Sequence, residues 1–181
     1  MNMMRALRPA QKILTATVVT VVAASGMLSD PASAADRSAL AGAGEGPMRL
    51  VSTAAHPVMS SRAYRRQVQR LVNSARRRHH LRPLRGSACA QRVAGRWSAH
   101  LAAERSLRHQ SMRRLLRTCR ARYVGETLGR GAISPSTLVG LWMHSTPHRR
   151  VLLSRSPRHI GIGATPDGHG AWVVAANLMR F

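Results

Sequence analysis

Two histidines and one glutamate are the residues whose types and positions suggest chemistry. His109 lies in "SLRHQS", Glu126 follows a glycine in "YVGET", and His148 stands in "STPHRR". Imidazole and carboxylate groups can exchange protons, ligate a metal ion or hydrogen-bond to each other. Two interpretations of the residues stay open: one common site, or a plain salt bridge between Glu126 and one of the many arginines.

The other chemical patterns are weaker. His144 and His148 are four residues apart, which on one continuous helix would suggest a zinc pair. Pro147 lies between them and favours the start of a new helix, so the two rings need not share a face. A serine nucleophile is not indicated, because no Gly-x-Ser-x-Gly elbow occurs.

The N-terminal segment has the composition of an export signal. Basic residues precede an apolar run over 13–24, and the small residues over 32–34 form a cleavage-site pattern. We expect a signal peptide over 1–34, a flexible Ala/Gly/Ser/Pro-rich leader over 35–59, and one secreted domain over 60–181. A buried N-terminal helix is the alternative for the first segment.

The two cysteines, Cys89 and Cys119, are the only ones in the chain. In an exported protein two cysteines most simply form one disulfide bond, and the alternative is two free thiols.

The charge is extreme. The net charge is +23, and Lys12 is the only lysine among 29 basic residues. A bias toward arginine and alanine also fits a genome rich in G and C, so function and compositional drift both remain explanations. Such a field attracts anionic cell-wall polymers or membrane lipids, whereas export argues against genomic nucleic acid. We expect a monomer.

Periodicity and turn residues predict an α+β domain, with helices first and strands last. Apolar spacing predicts a first helix from Ser61 to His79, and Ser87 is a suitable N-cap for the second. A Ser-Pro pair at 134–135 and a Thr-Pro pair at 146–147 predict two further helix starts. The remaining predictions are a helix over 88–105 carrying Trp97 on its buried face, a helix over 111–119, an extended segment over 122–127, and a hairpin of "HIGIGAT" and "AWVVAANL".

Five segments together resemble the CAP superfamily, the SCP-domain proteins related to cysteine-rich secretory and pathogenesis-related proteins. They are "LVNSARRRHHLRPLRGS", "HQS", "YVGETLG", "LVGLWMHSTPHRRVLLS" and "RHIGIGA" followed by "AWVVAANL". The resemblance covers residues 64–180 and keeps the order of the family's motifs. It implies an α-β-α sandwich with a small antiparallel sheet flanked by helices and a central groove.

The resemblance also implies which residues line the groove. The family's two histidines correspond to His109 and His148, and the glutamate of its Gly-Glu-Asn motif corresponds to Glu126. The family's asparagine is Thr127 here, and the position of a second glutamate in some relatives is Ser145. Two imidazoles and one carboxylate can bind zinc or another divalent ion with water in the fourth place. A metal-free hydrogen bond between histidine and glutamate is the alternative.

Three functions follow as hypotheses. The first is an extracellular binding module for a small apolar, glycan, lipid or cell-wall ligand. The second is a metal-dependent hydrolase that uses His109, Glu126 and His148. The third is a polycationic surface-binding protein with a vestigial groove.

Overall fold

The structure, a computed structural model, describes residues 12–15, 19–20 and 59–181. The expected leader lies outside these residues except for Met59, and so does most of the expected signal peptide. The elements are β1 (Lys12–Thr15), β2 (Val19–Thr20), α1 (Ser61–Arg78), β3 (Arg85–Gly86), α2 (Ala88–Ala103), α3 (Met112–Thr118), β4 (Tyr123–Gly131), α4 (Pro135–His144), α5 (Thr146–Leu152), β5 (His159–Pro166) and β6 (Trp172–Arg180). Among the described residues, no helix is both long enough and apolar enough to span a bilayer.

Serine side chains begin the first three helices. Ser60, Ser87 and Ser111 each accept a hydrogen bond from the backbone N–H three residues later. Each cap satisfies one N–H group that the first turn leaves without a helical partner. The predicted helices are confirmed, and their ends differ from the predictions by at most two residues.

The break between α4 and α5 is confirmed, with one correction. Ser134 caps α4 and Pro135 follows it, as predicted. Ser145, not Thr146, is the N-cap residue of α5, and its side chain makes no capping hydrogen bond. His144 is exposed and His148 is buried, so these two rings do not share a face.

The sheet is built on an antiparallel centre. Its order is β1-β4-β6-β5-β3, and β4, β6 and β5 are antiparallel neighbours. The short outer strands are parallel to their neighbours: β3 pairs with β5, and β1 and β2 pair with β4. The predicted extended segment over 122–127 is too short, because pairing with β6 continues β4 as far as Gly131 opposite Trp172.

Helices cover both faces of the sheet, which confirms the α-β-α sandwich. One core cluster joins α1, α4 and α5 to the sheet and contains Tyr64, Trp142 and Ile162. The clusters on the other face join α2 and α3 to the sheet and contain Val93, Leu101, Leu116, Val124 and Leu128. Each buried side chain of this size contributes roughly 1.5–3 kcal/mol relative to exposure.

Two features hold α2 in place. Cys89 and Cys119 form the predicted disulfide bond, with an S–S distance of 2.07 Å, and it joins the start of α2 to the end of α3. Gly161 and Gly163 of β5 lie directly under α2. A Cβ atom on Gly161 would overlap the backbone of Ala90, and one on Gly163 would overlap the backbone of Ala94.

Candidate functional site

The structure brings His109 and Glu126 together. Nδ1 of His109 lies 2.6 Å from Oε1 of Glu126, although the two residues come from different elements. Glu126 stands on β4 and its side chain is fully buried, whereas the His109 side chain is 21% exposed. The pair therefore holds one imidazole ring at the surface by a hydrogen bond to a carboxylate inside the protein.

Gln110 completes the hydrogen bonding of the carboxylate. Its backbone N–H donates to Oε1 of Glu126 over 3.2 Å, and its side-chain amide donates to Oε2. The same amide nitrogen donates over 3.2 Å to Oδ1 of Asn177, which lies opposite Glu126 on β6. Three N–H groups thus surround one buried carboxylate, and this satisfies a group that would otherwise be costly to bury.

Sequence reasoning missed Gln110 and Asn177. Gln110 is next to His109 in "HQS", and Asn177 is a single amide inside the apolar run "AWVVAANL". A polar side chain in the middle of a buried strand needs a hydrogen-bond partner. That signal was present in the sequence and pointed to Asn177.

His148 lies in a second polar contact. Its Nδ1 is 2.7 Å from Oγ of Ser145, one helical turn earlier, and the ring is fully buried. Both residues were predicted for the groove, and the structure joins them to each other.

The alternation of side chains along β4 shows which layer Glu126 faces. A Cβ atom on Gly125 would lie 3.1 Å from Val151 of α5, so Gly125 faces that helix. Successive residues of a strand point to opposite faces, and Glu126 therefore points away from the layer that contains α5. His148 belongs to α5, while His109 follows α2 on the other side of the sheet.

The metal set His109, Glu126 and His148 stays a prediction, and the contacts that the structure gives these residues are hydrogen bonds. Both oxygens of Glu126 already accept hydrogen bonds, and the facing nitrogen of His109 is one of the partners. In the part of the chain that the structure describes, no three His, Cys, Asp or Glu side chains are grouped as a metal site would require. The arrangement is a hydrogen-bonded network, and no catalytic step through a metal follows from it.

A cluster of Trp97, Arg108 and Glu104 supports the segment that carries His109. Trp97 donates from Nε1 to the carbonyl oxygen of Arg108 over 3.0 Å, and the Arg108 guanidinium stacks 5.5 Å from the indole. Arg108 also pairs with Glu104, and this hydrogen bond holds the pKa of the glutamate below its usual value. Trp97 packs against the core cluster that contains Leu101 and Leu128, as predicted for its face of α2, and it is half-buried.

Comparison with known proteins decides the family. Residues 69–176 match the CAP family model, described as the cysteine-rich secretory protein family. This chain belongs to the CAP family. The CAP domain is similar to an extracellular SCP-domain protein of Bacillus anthracis, with 20% identity and a TM-score of 0.60, covering 67% of this chain and 41% of that one.

Further similarities place the CAP domain among bacterial proteins. A cysteine-rich secretory protein of Staphylococcus aureus shares 17% identity at a TM-score of 0.60, covering 69% of this chain and 40% of that one. An outer surface protein of Borrelia burgdorferi shares 16% identity at a TM-score of 0.58, covering 64% and 90%. The curated protein YkwD of Bacillus subtilis, described as uncharacterized, is 27% identical over 113 residues, 59% of this chain. The matched part is 44% of YkwD, so less than half of that relative corresponds to this chain.

Proposed function

We propose that the protein is a secreted binding module that holds a glycan-containing ligand of the cell envelope at the His109 site. The observation that carries the proposal is the half-buried imidazole fixed by a fully buried carboxylate. A ring held in one orientation loses little freedom when it binds, and this favours affinity. Hydrogen-bonding groups of this kind suit hydroxyl-rich ligands better than purely apolar ones.

Two further observations support this role. Solved structures with the same fold include an extracellular protein and an outer surface protein, which is consistent with a place outside the cell. The net charge of +23 attracts the anionic polymers and lipid head groups of an envelope. The charge would concentrate the protein at the surface, and the His109 site would select the ligand.

The test is retention on insoluble cell-wall fragments at about 0.15 M salt, where charges more than about 8 Å apart are largely screened. We expect His109→Ala and Glu126→Gln to reduce retention of the purified protein at least about tenfold, the effect of losing hydrogen bonds to a charged or fixed group. His144→Ala is the matched control, since His144 is exposed on α4, and it should change retention less than about twofold. The proposal fails if the wild type is not retained, or if the three variants behave alike.

The arginine excess favours one other function, a polycationic protein that binds surfaces through charge alone. The same experiment separates the two. Binding that falls steeply with salt and ignores His109→Ala identifies the charge as the active feature. Binding of wild type to phosphatidylcholine vesicles in place of wall fragments would instead identify a lipid ligand.

A further inference from the structure

A second candidate site lies at the opposite edge of the sheet from β4. The pocket has a volume of about 550 Å³ and is lined by Arg82, Pro83, Leu84, Arg85, Arg158 and His159. We call it the arginine pocket. It is formed where β3 pairs with the start of β5, and β6 and β5 separate it from the strand that carries Glu126. The pocket is therefore distinct from the His109 site.

Among residues 59–181, the cations of this pocket have no acidic side chain as an ion-pair partner. The side-chain carboxylates of residues 59–181 are Glu104, Glu126 and Asp167, and each is engaged elsewhere, with Arg108, His109 and Arg130 respectively. Within the described residues, no ion pair joins a pocket arginine to a carboxylate. Within this part of the chain the positive charge of the pocket is not neutralised, which favours an anionic ligand.

The buried residue Arg76, next to the pocket, responds to the positive charge of the pocket arginine Arg158. Arg76 is 1% exposed, and its guanidinium donates to the backbone carbonyl oxygens of Arg82, Leu152 and Ser154. Burial lowers the pKa of Arg76, and the positive charge of Arg158 lowers it further. Two cations therefore repel each other beside the pocket, and an anion bound there would relieve the repulsion.

The wall of the pocket is rigid. Asn73 holds Leu84 from both sides, because its amide donates to the Leu84 carbonyl oxygen over 3.0 Å and accepts from the Leu84 N–H over 2.8 Å. The Arg85 N–H donates to the carbonyl oxygen of Arg158 over 3.0 Å, which fixes the two chain segments side by side. A site that is already ordered loses less entropy on binding than a mobile one.

His159 adds a hydrogen-bonding group. Its Nδ1 is buried, and among the described residues it has no hydrogen-bond partner. The ring packs against Phe181 with centroids 4.9 Å apart, which leaves the imidazole in a defined orientation. Buried polar atoms are normally satisfied, so this nitrogen marks a place for a ligand or ordered water.

We propose that the arginine pocket binds a phosphate group. Guanidinium groups match the geometry and the charge of phosphate oxygens through paired N–H donors. Three arginines suit a phosphate better than a carboxylate, which carries less charge and fewer acceptor oxygens. The volume leaves room for a substituent on the phosphate, so the ligand is an inorganic phosphate, a soluble phosphate ester or a phospholipid head group.

The experiment compares two variants that remove the same charge. Arg82→Gln/Arg85→Gln changes exposed side chains of the pocket, and Arg113→Gln/Arg114→Gln changes exposed side chains of α3. Inorganic phosphate binding is titrated at constant ionic strength with acetate as the comparison anion. We expect the pocket variant to weaken phosphate binding at least about tenfold, and the α3 variant less than about twofold. In the wild type, phosphate should also shift the ring resonances of His159, a measurement that requires no variant.

The outcomes are distinct. Equal weakening by both variants, equal binding of acetate, or an unmoved His159 ring overturns the proposal. Glycerol phosphate and phosphatidylglycerol vesicles then distinguish the sources: loss of vesicle binding in the pocket variant alone assigns a lipid head group, and loss of soluble ester binding alone assigns a soluble or polymeric phosphate. His109→Ala should leave phosphate binding intact, so failure here does not affect the function proposed for the His109 site.

Discussion

At the residue scale, the main feature is a buried carboxylate, that of Glu126, whose oxygens are hydrogen-bonded. Glu126 is one of three side-chain carboxylates between residues 59 and 181, and it is the one that is completely buried. Its oxygens accept hydrogen bonds from His109 and Gln110, and Gln110 in turn reaches Asn177. Such a network orients an imidazole more firmly than a surface salt bridge would, because water does not compete with its inner members.

Two buried tyrosines should make the free energy of unfolding depend on pH in the alkaline range. Burial raises the pKa of Tyr64 to about 12, and its hydroxyl donates to the carbonyl oxygen of Ile133 over 2.9 Å. Burial also raises the pKa of Tyr123. Because the folded protein prefers the protonated phenols, their contribution to the free energy of unfolding is complete below about pH 10. It is lost as the pH rises from about 10 toward about 12.

Urea unfolding measured between pH 8 and pH 12 tests this prediction. Wild type should lose stability through the alkaline window, Tyr64→Phe should lose less, and Tyr64→Phe/Tyr123→Phe should be nearly flat. The chain contains no other tyrosine, so the double variant is a complete control. A slope that is identical in all three proteins would contradict the assignment.

The residue types of His109 and Glu126 left a common site open, and the family resemblance assigned both residues to one groove. Their types indicated chemistry, but 16 residues lie between them and no local pattern brings them together. Cross-strand pairing supplies the missing information, since it places Asn177 opposite Glu126 and within reach of Gln110. The prediction that His148 belongs to the same site rests on its type and on the resemblance, while the alternation of side chains along β4 turns Glu126 away from the layer that contains α5.

At the scale of elements, the most demanding contact is that between α2 and β5. Gly161 and Gly163 let the helix backbone rest directly on the strand. Glycine is required here by space, not by an unusual backbone angle. The alternating glycines of "HIGIGAT" predicted a strand, but only the structure shows that their missing side chains accommodate a helix.

A methyl group at this contact should be strongly destabilising. We expect Gly161→Ala to lower the free energy of unfolding by more than about 2 kcal/mol, because the overlap is with backbone atoms that cannot rotate away. Gly95→Ala is the control. Gly95 lies on α2, the helix that packs on Gly161, but a Cβ atom there meets open space. This control variant should stabilise the protein by up to about 1 kcal/mol. Urea unfolding of both variants measures the difference, and a loss at position 161 no larger than at 95 would refute the close contact.

Helix starts were predictable and strand lengths were not. Serine and proline influence the backbone within one helical turn, so Ser87 and Ser134 predicted the starts of α2 and α4 from the local sequence. The end of β4 depends instead on nine pairings with a strand some 50 residues away, and β3 exists only through its pairing with β5. β1 and β2 likewise depend on β4, in a segment whose composition predicts a signal peptide.

At the scale of the whole molecule, self-repulsion should weaken the fold. The net charge is +23, and the few side-chain carboxylates of the folded domain are already engaged. Like charges that face each other destabilise a compact state, and salt screens them. This is the opposite of the behaviour of a protein held together by surface salt bridges.

We therefore expect the urea midpoint to rise as sodium chloride is increased from about 0.01 M to about 0.5 M, where the Debye length falls from about 30 Å to a few ångströms. Urea is the appropriate denaturant, because guanidinium would itself screen the charges. Phosphate at equal ionic strength should raise the midpoint further in wild type than in Arg82→Gln/Arg85→Gln. A midpoint independent of sodium chloride would show that the arginines are too well hydrated to repel one another.

The bridge between Cys89 and Cys119 encloses the segment that contains both His109 and Gln110. Closing a loop of this size lowers the entropy of the unfolded chain, which stabilises the fold by roughly 3.6 kcal/mol on the chain-entropy model. Without the disulfide bond, only noncovalent contacts fix the position of the His109–Gln110 segment relative to the sheet. We therefore expect reduction of the disulfide to loosen this segment, so that an oxidising environment favours the ordered form of the His109 site.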